Sequence, residues 1–111
     1  MGITKIKTYQ SNELELAAFS KALGHPARIK ILNYLVKQKK CVNSDLISEL
    51  GLAQSTVSQH LKELKNIGLI QGTVSGVSMN YCIDRRKWTK AKALILELFD
   101  KEIERWNNEC C

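Results

Sequence analysis

Four cysteines, Cys41, Cys82, Cys110 and Cys111, carry the most distinctive chemistry in this sequence of 111 residues. Thiolates bind soft, thiophilic ions and undergo reversible oxidation. The adjacent pair Cys110-Cys111 cannot easily bridge itself. Neighbouring Cα atoms lie ~3.8 Å apart, below the ~4.4 Å lower limit of ordinary disulfides. Those two thiols are better placed to share a soft metal, with Cys41 as a third ligand. Cys82, between Tyr81 and Ile83, reads as a small strand residue. A flexible tail with two incidental thiols and a packed Cys41 is the competing reading.

The other chemistry-bearing residues support no catalysis. His25 and His60 have no carboxylate at motif spacing, and neither a nucleophile–base–orienter set nor a phosphate-cradling Gly loop is visible. No enzymatic activity is expected. His25, followed by Pro26, reads as a helix cap, and His60 as a packed histidine.

A third set lies in "LAQSTVSQHLKELKNIGLI", residues 52–70. With Val57 at 0° and ~100° per residue, Leu61, Leu64 and Ile67 fall near ~40°, ~340° and ~280°. Ser55, Gln59, Lys62 and Asn66 fall near ~160°, ~200°, ~140° and ~180°, forming one polar stripe. Hydroxyl and amide groups can bond base edges in a major groove, while Lys62 and Lys65 can neutralise phosphates. Gln54, Ser55, Thr56 and Ser58 crowd the helix N-terminus. A merely solvated face is the bland alternative, weakened by what flanks this helix.

The flanking elements define a fold. Ser11 can cap a helix over 11–23 whose apolar residues cover more than one face. Pro26 opens a second helix with Ile29, Leu32, Leu35 and Val36 inward. A short third helix, 44–50, with Leu46, Ile47 and Leu50 inward, is closed by Gly51. The three-residue turn "GLA" then leads into the helix bearing the polar stripe, so 44–66 reads as a helix-turn-helix. Two β-prone runs about Ser75-Gly76 form a hairpin within 69–83, a wing. Asp84 caps a last helix over 85–108 with Trp88, Ala91, Leu94, Ile95, Leu98, Phe99, Ile103 and Trp106 apolar. At ~1.5 Å per residue it would reach ~36 Å, longer than one small core requires. The first and last helices are therefore the expected dimer surface. The whole chain reads as one winged helix-turn-helix domain, mostly α with a small β-hairpin, in the order α-α-α-α-β-β-α.

Bulk properties agree with a folded chain that meets a polyanion. Apolar residues make up 44% and charged residues 25%, and the net charge is +6. Residues 1–40 hold eight bases against two acids. No membrane span or signal peptide is evident, so a cytoplasmic protein with reduced cysteines and no disulfide framework is expected. The wing "GTVSGVSMNY" contains no Lys or Arg. Its phosphate contacts must come from Ser75, Gly76 and Ser78 through hydroxyls and backbone N–H groups. Modest affinity and a shallow salt dependence would follow unless Arg28, Lys30 or the Lys37–Lys40 run also lies along the duplex.

The segments "LGHPARIKILNYL" and "ELGLAQSTVSQHLKELKNIGLIQGTVSG" resemble the ArsR/SmtB family of metal- and metalloid-responsive repressors, over about residues 19–84. The resemblance implies a homodimeric winged helix that binds double-stranded operator DNA, represses, and lets go when an inducer binds. Two departures bear on the inducer. Where some members carry a Cys-Val-Cys box, this chain has "CVNSDL", with Asn43 in place of the second thiolate. The last helix contains no His for a zinc site. Its Glu97, Asp100, Glu102 and Glu104 read as a solvated face. Some members place a vicinal cysteine pair near the last helix, which points to trivalent arsenic or antimony, or another soft metal, at Cys110, Cys111 and Cys41, with no cofactor otherwise required. Other readings stand beside this one: a thiol-based metal buffer or redox protein that keeps the helix-turn-helix as a scaffold, a winged-helix regulator without metal sensing, and a winged-helix protein–protein module that binds no DNA.

Overall fold

The computed structural model describes residues 8–103. Five helices and three short strands follow in the order α1 (Ser11–Leu23), α2 (Pro26–Val36), β1 (Val42–Asn43), α3 (Ser44–Ser48), α4 (Gln54–Ile67), β2 (Ile70–Ser75), β3 (Ser78–Ile83) and α5 (Arg85–Phe99). The strands form one antiparallel sheet in the order β1-β3-β2. This is the expected winged helix-turn-helix with one additional strand. Val42, buried and paired with Tyr81, covers an edge of β3 that a two-stranded wing would leave open.

The helix ends follow from local chemistry. The cap of α1 is not Ser11 but Gln10, whose backbone N–H donates to Glu13 Oε1 at 2.8 Å, so the Glu three positions on satisfies the free donor. His25 caps α2 as expected, Nδ1 accepting from the Ala27 N–H at 3.0 Å, with Pro26 in the first turn. Asp84 caps α5 by accepting from the Lys87 N–H at 3.2 Å. Gly68, at φ +90°, ends α4: its N–H donates to Lys65, and the Leu69 N–H reaches back to the Leu64 carbonyl at 3.1 Å. That pair of bonds is the left-handed closure that glycine makes at least steric cost.

The core gathers around α4. Val57, Leu61 and Leu64 meet Ile31, Leu32 and Leu35 of α2, Phe19 of α1, Ile47 of α3, and Leu69 and Ile70 where the sheet begins. Several expected inward residues face out instead. In α2 the buried row is Ala27, Ile31 and Leu35 with Leu32, a row at four-residue spacing, while Ile29 and Val36 are exposed. In α3, only five residues long, Ile47 fills the core and Leu46 is exposed. Its helical turns stop at Ser48, short of Leu50, and Gly51 at φ +83° turns the chain towards α4.

The last helix also stops short. Its regular turns end at Phe99, and Phe99 and Ile103 are 76% and 83% exposed, so among the described residues the end of the apolar stripe is largely uncovered. Fifteen residues span ~22 Å rather than the anticipated ~36 Å. Residues 104–108 of the expected helix, Trp106 among them, and the terminal cysteines lie outside the described residues. At its start α5 is tied to α1 by an ion pair, Lys90 Nζ to Glu15 Oε2 at 2.7 Å. Among the described residues no helix is long and apolar enough to cross a membrane.

Candidate nucleic-acid interface

The outward face of α4 carries Gln54, Ser55, Thr56, Ser58, Gln59, Lys62 and Lys65, all exposed, together with Asn66. The opposite side of the same helix is buried through Val57, His60, Leu61 and Leu64. A polar rod is thus held rigidly by its apolar back, which is what a helix needs to enter a groove without losing its orientation. Its first turn contains no acidic residue, so the partial positive charge of the helix N-terminus is not cancelled locally. Thr56 Oγ1 bonds the Ala53 carbonyl at 2.7 Å and fastens that first turn. Gln59 Nε2 rests on Glu63 Oε1 at 3.1 Å, an exposed contact that can be exchanged for another acceptor.

The placement of α4 depends on a polar cluster where it crosses α2. Arg28 Nε donates to His60 Nδ1 at 3.1 Å, and Arg28 Nη1 donates to the Ala22 carbonyl at 3.2 Å. The His25 and His60 rings lie with centroids 4.4 Å apart. His60 is buried, so it packs rather than reads bases. Burial, with the charges of His25 and Arg28 adding to it, holds the His60 imidazole below its ordinary value of 6.5. Its Nδ1 is an acceptor here, so the ring is neutral with the proton on Nε2. Arg28, half-buried, commits its Nε and Nη1 donors to the fold in this way. Lys30, Lys37, Lys39 and Lys40 remain exposed.

The wing is short and uncharged. Gly76, at φ +64°, occupies the first of two turn positions with Ser75 paired to Ser78, as a tight hairpin of the type II′ class requires. Gly72 is needed for a different reason: a Cβ there would stand 2.9 Å from Met79 Cε and 3.1 Å from a Tyr81 ring carbon, its cross-strand neighbour. Ser75 and Gly76 are exposed and Ser78 half-buried, and the tip also presents Val74 and Val77.

The cysteines are arranged otherwise than expected. Cys41 is joined to Cys82 in a disulfide, with Cα atoms 4.4 Å apart. The pair extends the β1–β3 register by one step beyond Val42–Tyr81. Cys82 is therefore a partner of Cys41 and not simply a strand residue, and the expectation of no disulfide is corrected. Two adjacent antiparallel strands bring facing Cα atoms to ~4.5 Å at their narrow pairs, close enough for sulfurs to meet. Only the Val42 that follows Cys41 hints at a strand; nothing local gives its register. Cys110 and Cys111 lie outside the described residues. Among the described residues no three His, Cys, Asp or Glu side chains are grouped to hold a metal ion.

Comparison with known proteins follows the same lines. The model of a family described as bacterial regulatory protein, arsR family, matches residues 25–72, the stretch from the cap of α2 to the start of the wing. The transcriptional repressor PagR of Bacillus anthracis is 37% identical over 71 residues, which cover 64% of this chain and 71% of PagR. The uncharacterized HTH-type transcriptional regulator Rv0081 of Mycobacterium tuberculosis is 42% identical over 67 residues, and this chain spans 59% of its length. The crystal structure of Rv0081 superposes with a TM-score of 0.59 at 28% identity, covering 83% of this chain and 96% of that one. An ArsR-like transcriptional regulator from Rhodococcus sp. RHA1 shares the fold, with a TM-score of 0.68 at 23% identity over 82% of this chain and 84% of its own. By sequence and by architecture, the chain belongs to the arsR family of bacterial regulatory proteins.

Proposed function

We propose that this chain is a homodimeric transcriptional repressor that grips operator DNA with α4 and the wing, and that a thiol-reactive inducer releases it. The observation that carries the DNA part is the exposed stripe from Gln54 to Lys65 on a helix whose other side is locked in the core. Ser55 and Gln59 supply donors and acceptors for base edges, Lys62 and Lys65 meet phosphates, and Ser75, Gly76 and Ser78 approach the backbone from the wing. The names of PagR, a repressor, and Rv0081, a regulator, support the same reading.

Dimerisation is supported by apolar surface left exposed among the described residues. Leu96, Leu98, Phe99 and Ile103 at the end of α5 and Ile29 on α2 are all exposed. A neighbour of the same fold, a fragment of a Mycobacterium bovis protein, is itself described as homodimeric. A two-fold dimer would set its α4 helices into half-sites ~34–36 Å apart. The inducer is a soft species, trivalent arsenic or antimony or a related metal, taken by Cys110 and Cys111 with Cys41 once Cys41 is reduced.

A gel-shift on the DNA upstream of its gene, with and without arsenite under reducing conditions, tests both halves. Retardation that arsenite reverses supports the reading. No retardation removes the DNA part, and retardation indifferent to arsenite, antimonite and Cu(I) removes the inducer part.

A further inference from the structure

The Cys41–Cys82 pair lies in a groove of about 650 Å³ between the end of α2 and the start of α5. Lys39, Lys40, Arg85 and Arg86 line that groove with it. Asp84, the acid among the lining residues, has a carboxylate oxygen engaged in capping α5. Both cysteines are only partly buried, so a small reagent entering the groove can reach them.

We propose that Cys41 and Cys82 form a reversible dithiol–disulfide site whose oxidant is a small anionic disulfide drawn in by the four cations. The thiolate of one cysteine attacks a sulfur of the reagent. The reagent's S–S bond breaks, one reagent thiolate leaves and takes up a proton, and a mixed disulfide remains on the protein. The other cysteine then attacks the first cysteine's own Sγ in the mixed disulfide, so the Cys41–Cys82 bond forms, the bond to the reagent breaks, and the second reagent thiolate leaves and takes up a proton. Two protein thiols are oxidised, one reagent disulfide is reduced to two thiols, and the two protons lost by the protein end on them. A thiol reductant runs the sequence backwards.

The strand register supplies the resolving step. The β1–β3 pairing that sets Val42 opposite Tyr81 also sets Cys41 opposite Cys82, so the second attack finds its partner without a change of strand register. The bond closes a loop of sequence separation 41 that contains α3, α4 and β2, and so ties the segment before the helix-turn-helix to the wing. This site shares Cys41 with the inducer site proposed above, but it needs neither Cys110 nor Cys111, and it stands whether or not the chain binds DNA.

The test uses the full chain carrying Cys110→Ser and Cys111→Ser, reduced and then treated with oxidised glutathione or with the cationic disulfide cystamine. Peptide mapping should find Cys41 linked to Cys82, and dithiothreitol should restore both thiols in the folded protein. With each rate divided by that for a free thiol in solution, glutathione disulfide should be favoured roughly threefold or more at low salt, falling towards parity as salt is added. Adding Cys82→Ser should stop the reaction at a Cys41–glutathione mixed disulfide. Absence of the Cys41–Cys82 peptide, resistance to dithiothreitol while folded, or no preference for the anionic reagent would each overturn the proposal.

Discussion

Arg28 and His60, 32 residues apart in the chain, are joined side chain to side chain at 3.1 Å where α2 crosses α4. The bond requires a neutral His60, because Nδ1 must accept. The folded protein holds this imidazole below 6.5, so near that pH the unfolded chain binds the proton more readily than the folded one. Stability is then full above pH 6.5, declines as pH falls through it, and levels off once the folded form is protonated too. Thermal melts across this range should show the decline in the wild type and a smaller one in His60→Gln, which keeps an acceptor without a titrating proton.

Arg28→Ala removes two hydrogen bonds from a half-buried charged donor, leaving His60 Nδ1 without its partner. A loss of ~1–3 kcal/mol of unfolding free energy is expected by denaturant titration. Operator affinity should fall as well, since α4 loses one of its anchors. Unchanged stability would mean that water replaces the guanidinium without cost.

Gly68→Ala should be costly for reasons of both backbone conformation and space. At φ +90° a side chain is strained, and its Cβ would also meet the Lys87 side chain at 3.2 Å. The combined loss should be ~1–2 kcal/mol, measurable as a lower midpoint in urea with an unchanged slope.

Much of this architecture is visible in local pattern, and what is missed is nonlocal. The α4 stripe, the Gly68 stop, the His25 and Asp84 caps and the hairpin turn at Gly76 each depend on residues within about one turn of one another, so spacing alone reveals them, although the turn is Gly76-Val77 and Ser75 belongs to the strand. The Arg28–His60 bond and the Cys41–Cys82 pair depend on how distant segments dock. β1 is only two residues long, too short for any periodicity to show, and it alone sets Cys41 opposite Cys82. In α2 the sequence offers more apolar residues than one face can bury, so the choice between Ile29 and Ile31 is made by packing against α4 and β3.

The exposed apolar end of α5 should be covered in solution by a second copy of the chain. Phe99→Asp, at a residue 76% exposed in the protomer, should leave the monomer fold intact by circular dichroism and shift the dimer towards monomer in sedimentation equilibrium. A dimer of unchanged affinity would place the interface elsewhere.

Direct readout by α4 is tested most sharply by measuring operator affinity for Gln59→Ala and Lys62→Ala across a panel of single-base variants at several salt concentrations. Gln59→Ala should cost ~1–3 kcal/mol on the best site and relax discrimination at one base pair, while Lys62→Ala should weaken every sequence alike and lower the salt slope by ~1. Wild-type affinity and specificity in both variants would contradict the assignment of this helix to the DNA groove.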